Sequence, residues 1–163
     1  MFVRCFFIKN KEGENFAYRA YFAGGKYVTS ASALESVKAY AVPLNVIRQI
    51  LESNNRLAMT FITNLSADLG DIDSRIVSLT QKHIRGRLAE ALVILIETYG
   101  IDPETKFLKG FLSREDLAGF ANMTASNAIR TLAAFNNEEM IELVGKKIKI
   151  LNESTLRKVS ILG

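Results

Sequence analysis

The sequence predicts an α+β protein built from a β-rich N-terminal segment, one long amphipathic helix, and a helical C-terminal segment closed by a β-hairpin. Three observations predict it. Residues 1–42 hold short apolar and aromatic runs separated by Gly-containing turns. Asn55–Leu79 carries apolar residues in a sustained seven-residue rhythm. Leu112–Asn136 reads as two short capped helices, and after Glu138 the pattern changes from helical spacing to alternation.

Composition bounds the function. With 163 residues, 48% hydrophobic and 23% charged, the chain is read as folded and soluble. The net charge of +4 and pI near 9.2 suit a nucleic-acid partner without requiring one. The longest apolar run, Ala91–Ile96, is too short to span a bilayer, and Met1–Ile8 lacks the core and cleavage site of a secretory signal. One cysteine, Cys5, excludes an intramolecular disulfide and fits a reducing cytoplasm. Cys5 and His83 together cannot build a structural zinc site. His83 reads as a partly buried helix residue. No nucleophile elbow, phosphate-binding loop or dinucleotide fingerprint occurs, so no enzyme is expected and no catalytic residue is assigned.

Taken in order, Phe2–Ile8 is apolar and strand-like, Asn10–Asn15 is a turn around Gly13, and Phe16–Phe22 is an aromatic-rich strand. Gly24–Gly25 makes a second turn. Tyr27–Ala41 alternates loosely, with Val28, Val37, Ala39 and Ala41 as inward candidates. So few strands leave open edges, and the segment is read as part of a larger β-unit in which the chain begins late. Pro43 then suits the first turn of a helix with Leu44, Ile47, Ile50 and Leu51 on its apolar face.

In the long helix Ala58, Ile62, Leu65, Leu69, Ile72, Ile76 and Leu79 alternate spacings of 4 and 3. Ile62, Leu69 and Ile76 take heptad position a, and Ala58, Leu65, Ile72 and Leu79 take position d. A helix buried in its own domain remains an alternative, but so narrow a stripe favours a partner helix. Its Leu and Ile side chains supply on the order of 10 kcal/mol per chain before association costs. Asp68 facing Asp73 of a parallel partner, and Gly70 in the helix interior, soften the middle.

Thr80 is expected to cap a new helix, Gln81–Tyr99, which Gly100 ends. Asp102–Gly110, with Pro103, reads as a loop. Ser113 caps the next helix with Asp116 three places on, and Leu117, Phe120 and Ala121 share a face. Asn122 tolerates the left-handed backbone of a sharp turn, Thr124 caps the second helix, and Ala128, Leu132 and Phe135 recur at helical spacing. Ala118 is small where the helices would cross. This is a helix-turn-helix, or an ordinary helical hairpin with a polar face. In the first reading Ala125, Ser126, Asn127 and Arg130 face outward, and Arg, Asn and Ser match guanine, adenine and either base in turn. Met140–Leu143 and Lys147–Leu151 flank Val144-Gly145-Lys146 as a hairpin, with Ile148 and Ile150 inward and the lysines outward. That is a wing, with Lys146 and Lys147 placed for phosphate contacts, or a solvated basic turn. Glu153–Ile161 reads as a last short helix.

The order of parts resembles the Crp/Fnr family of bacterial transcription regulators. The resemblance rests on QKHIRGRLAEALVILIETYG (Gln81–Gly100), LSREDLAGFANMTASNAIRTL, and the hairpin around VGKKIKIL, and it covers the chain from Phe16 onward. It implies residues 1–52 as a partial, cyclic-nucleotide-binding-like β-roll with its closing helix, 53–80 as a dimerisation helix, and 81–163 as a winged helix-turn-helix DNA-binding domain. It implies a cytoplasmic homodimer on a palindromic operator, with double-stranded DNA and RNA polymerase as partners. DNA contacts fall on Ser113, Thr124, Ala125, Ser126, Asn127, Arg130, Lys146 and Lys147. Ala125 and Ser126 stand where the best-known nucleotide-responsive relatives carry Arg and Glu, so a different base preference is expected. Arg130 matches a basic residue typical of the family. The family's cyclic-nucleotide positions fall on Ala17-Tyr18 and Val28-Thr29, leaving Thr29 as the only matching effector residue. Without the arginine that pairs the cyclic phosphate, cyclic AMP is not the expected effector and no cofactor is expected. The iron–sulfur branch of the family needs cysteines this chain lacks. Regulation would act through the angle at a hinge near Thr80–Lys82. The rival reading is a truncated partner that heterodimerises with full-length relatives without binding effector.

Overall fold

A computed structural model of the chain describes residues 18–27, 36, 38–110 and 112–162. The expectations for Phe2–Ile8, Cys5, Val28, Thr29 and Val37 lie outside the described residues. The chain divides into two compact units, with the boundary between Arg75 and Ile76.

In the first unit, Arg19–Phe22 forms a single turn of helix (α1), where a strand was expected over Phe16–Phe22. The reason is aromatic packing. Helical spacing places Tyr18 and Phe22 on one side, and both rings reach Phe61 at 5.5 Å between centroids. Tyr18 also donates its hydroxyl to Asp68 at 2.9 Å. Gly24 turns with φ +63°. Tyr27 and residues 38–41 are irregular and exposed, so Ala39 and Ala41 do not point inward as expected. No β-strand occurs before Ile141 among the described residues, and the partial β-roll is not seen there. Pro43 caps α2, Leu44–Ser53, where its fixed φ and missing N–H are tolerated.

Helix α3 runs from Asn55 to Gln81. It starts behind Asn54, whose carboxamide oxygen accepts the Leu57 N–H at 3.0 Å. The seam divides in two. Phe61 is buried, and Ala58, Leu65 and Leu79 of position d are half-buried, while Ile72 of position d is 39% exposed. The position-a residues Ile62, Leu69 and Ile76 are 53%, 59% and 54% exposed.

The second unit is built on α4, Ile84–Tyr99, in which Leu88, Ala89, Ala91, Leu92 and Leu95 are almost wholly buried. The helix starts later than expected. Thr80 does not cap it; its hydroxyl bonds back to the carbonyls of Ile76 and Val77 inside α3. His83 takes the cap position and is exposed, not partly buried within a helix. Gly100, at φ +79°, ends the helix as expected. Then come α5 (Arg114–Phe120), α6 (Ala125–Asn137), β1 (Ile141–Val144), β2 (Lys147–Ile150) and α7 (Glu153–Leu162). The core lies where α4, α6 and α7 bury Leu92, Leu132, Phe135 and Leu156 against the hairpin's Ile141 and Ile148.

The expected loop at Asp102–Gly110 holds more order than its composition suggests. Asp102 accepts the Glu104 and Thr105 N–H groups and the Thr105 hydroxyl, which holds its carboxyl below the usual range. Beyond that turn, Leu108 N–H donates to the Ile148 carbonyl and Ile150 N–H to the Lys106 carbonyl, both at 2.9 Å. The segment thus pairs with the free edge of β2 and protects it.

Candidate nucleic-acid interface

Two reciprocal bonds start α5. The Ser113 hydroxyl accepts the Asp116 N–H at 3.0 Å and donates to the Asp116 carboxylate at 2.7 Å. Leu117, Ala118 and Phe120 turn inward. The helix closes on Asn122, whose φ of 49° reverses the chain, while the Met123 N–H reaches back to the Ala118 carbonyl at 2.9 Å. Thr124 then caps α6 by accepting the Asn127 N–H at 3.3 Å. Ala128, Leu132 and Phe135 are fully buried, so the opposite face of α6 is committed to solvent. The two helices therefore meet through a turn of a few residues, with both ends satisfied by side chains the sequence supplies.

On the outer face, Ser126 and Arg130 are exposed, and Ala125 and Asn127 are half-buried. Arg130 donates to the Asn127 carboxamide oxygen one turn back. That bond engages one lone pair of the oxygen Asn127 would turn to adenine, and it directs the guanidinium. Asn127 thereby acts on Arg130 first.

The hairpin follows. Val144 pairs with Lys147 across a two-residue turn, with Gly145 at φ +58° in its first central position. This fits a type II′ turn, whose twist matches that of the strands. Ile148 and Ile150 are buried as expected. Lys149 points outward and pairs with Glu142 at 2.8 Å across the strands. Lys146 and Lys147 stand exposed at the tip, and the Lys147 ammonium lies 5.5 Å from the centre of the Phe107 ring. Two side chains tie this hairpin to the helix pair. Asn136 of α6 accepts the Leu143 N–H at 2.9 Å, and Arg114 of α5 donates to the Gly145 carbonyl at 3.4 Å.

Arg114 is the residue that the sequence reading passed over. Its second terminal nitrogen, Nη1, is buried without a partner, and burial pulls the guanidinium below its ordinary pKa. A cation in the first turn of a helix opposes the macrodipole. The order Ser-Arg-Glu-Asp after Leu112 therefore carried a signal that this arginine serves something other than α5 itself. The remaining expected residues fall where their elements lie: the seven seam positions along α3, and Thr29 beyond the described residues.

A capped helix pair with a sharp turn, followed by a hairpin anchored to both helices, defines a winged helix-turn-helix. The Crp-like helix-turn-helix domain family matches residues 86–159. The chain is 24% identical over 140 residues to the fumarate and nitrate reduction regulatory protein of Vibrio cholerae, covering 84% of this chain and 55% of that one. It is 26% identical over 119 residues to the anaerobic regulatory protein of Bacillus subtilis, covering 72% and 50%. The structure of FixK2 from Bradyrhizobium japonicum superposes with a TM-score of 0.64 at 15% identity, covering 71% of this chain and 57% of that one, a likeness of fold. Residues 86–159 thus carry a Crp-like helix-turn-helix domain, and the chain is similar to regulators of the Crp/Fnr type over most of its length. It spans about half the length of the curated relatives it matches.

Proposed function

We propose that this protein is a DNA-binding transcription regulator that acts as a homodimer on a palindromic operator. The observation that carries the reading is the outer face of α6. Its start is capped, its inner stripe is sealed in the core, and it offers Ser126 and Arg130 to solvent in the same domain as an exposed two-lysine wing tip. In this reading α6 enters the major groove. Arg130 reads guanine, Ser126 and Ala125 meet neighbouring base edges, and Asn127 holds Arg130 in place. Ser113 and Thr124 bring their helix starts to the phosphates, and Lys146 and Lys147 add sequence-independent contacts from the wing.

Dimerisation assigns the three parts as 1–52 sensor-like, 53–80 dimer helix and 81–163 DNA-binding. The exposure of Ile62, Leu69 and Ile76 supports it, because a solvent-facing apolar row along a 27-residue helix is costly for a monomer. Two copies would set half-sites about one helical turn apart. A cytoplasmic setting and contact with RNA polymerase complete the proposal by likeness to the family. The same open seam also fits pairing with a longer relative, which co-purification of tagged and untagged chains would reveal.

Selection from random-sequence duplexes tests the reading. The expected product is a pseudo-palindrome whose specific affinity drops at least ten-fold with Arg130→Ala. Unchanged specific affinity in that variant would remove α6 as the reading helix.

A further inference from the structure

The outer face of α6 carries two parallel rows. At 100° per residue, Ser126, Arg130 and Asn137 lie opposite the buried Ala128–Leu132–Phe135 stripe. Beside them Ala125, Ile129 and Ala133 form an i, i+4, i+8 row that is entirely apolar. Ile129 is 53% exposed and Ala133 is exposed as well. A single exposed isoleucine is ordinary on a protein surface. Here its two row neighbours are alanines, so its branched side chain stands clear of them. The Asn127–Arg130 bond draws the guanidinium toward the opposite flank of the helix and leaves Ile129 uncovered.

We propose that Ile129 is a specificity-determining residue that recognises the 5-methyl group of a thymine in the major groove, next to the base read by Arg130. This rests on the DNA-binding reading above and sharpens it. The chemistry admits one base. Along the major-groove edge guanine and adenine present hydrogen-bonding groups, cytosine an amino donor beside a bare C5–H, and thymine alone an apolar methyl. Isoleucine can neither donate nor accept, so against any other base it would strip water from a polar edge and return nothing. Against thymine it buries methyl on methyl. Ala125 and Ala133 leave room for the helix to approach closely enough for that contact.

The experiment replaces each thymine of a selected operator, symmetrically in both half-sites, with deoxyuridine, which removes the methyl and nothing else. Affinities are measured by fluorescence anisotropy at fixed salt. The expected result is one symmetric pair of positions at which the change weakens the wild-type protein by about four-fold per half-site. Ile129→Ala, a replacement on an exposed helix position with better helix propensity, should bind the thymine and uracil duplexes alike while still losing affinity with Arg130→Ala. Wild-type protein indifferent to uracil at every position overturns the proposal, as does undiminished methyl discrimination in Ile129→Ala. Failure to select any duplex overturns the DNA-binding reading itself and is a separate outcome.

Discussion

Arg85, in the first turn of α4, and Glu138, capping the end of α6, form a two-pronged ion pair, with Nη1 to Oε1 at 2.7 Å and Nη2 to Oε2 alongside. The same guanidinium sits 4.9 Å from the centre of the Phe135 ring, so one side chain fastens the end of α6 to α4. The hydrogen bond from Arg85 holds the Glu138 carboxyl below its usual range, and the Arg85 pKa rises in return.

Because the folded-state carboxyl is depressed, its contribution to stability is fully present above the ordinary glutamate pKa and disappears as acid carries Glu138 through its lowered value. Arginine stays charged throughout. Both partners are close to half-exposed, so solvent screening keeps the pair weak. Arg85→Ala should cost about 1 kcal/mol at neutral pH, including the ring contact. Denaturant melts of wild type and Glu138→Gln should differ at neutral pH and converge in acid. A constant difference across pH would show that the carboxylate is not what Arg85 holds.

The wing turn depends on Gly145. A β-branched side chain at φ +58° is strained whatever space surrounds it. Gly145→Val should lower stability by about 1–2 kcal/mol, and Gly145→Asn by less, because every side chain is strained at this positive φ and a β-branched one most. Equal melting temperatures for the two variants would contradict this turn geometry.

The open row on α3 makes a prediction about mass. Replacing Ile62, Leu69 and Ile76 together with serine should leave circular dichroism of the second unit intact and convert a dimer to a monomer in sedimentation equilibrium. A wild-type protein that is monomeric at high micromolar concentration would remove the seam as a dimer interface.

Wing lysines should register in salt dependence. Removing Lys146 and Lys147 frees up to two phosphates per chain, and the slope of log K against log salt should flatten by about 0.9 for each phosphate no longer neutralised. If Lys147 is fully occupied by Phe107, the flattening will be half of that.

The connection between α3 and α4 is pinned. The buried Ser78 hydroxyl donates to Glu90, and Lys82 pairs with the other oxygen of that carboxylate at 2.9 Å. Glu90→Ala would strand a buried hydroxyl and free the last turn of α3, at about 1–3 kcal/mol. Hydrogen exchange should accelerate over residues 76–83. Unaltered exchange there would place any hinge elsewhere, with Gly70 the next candidate.

Much of the interface was legible in the residues. Ser113, Asn122 and Thr124 act within three positions of themselves, so caps and turn followed from local chemistry alone. Gly145 announced the hairpin for the same reason, and the wing's buried Ile148 and Ile150 followed from alternation. Contacts between distant segments were not legible. Tyr18 and Phe22 look like strand residues until Phe61 gives them a surface that helical spacing fits. Phe107–Leu108 look like loop until the free edge of β2 gives their backbone a partner.

The sequence by itself determined where α5 and α6 begin and turn, which of their faces are apolar, and that a seven-residue rhythm runs through α3, because each depends on neighbours a few residues apart. Only the tertiary structure decided which of those faces were consumed. It buried Phe61 and left Ile62, Leu69 and Ile76 open, engaged Asn127 with Arg130, and left Ile129 bare. Burial is a property of two surfaces meeting, and a periodic pattern names only one of them.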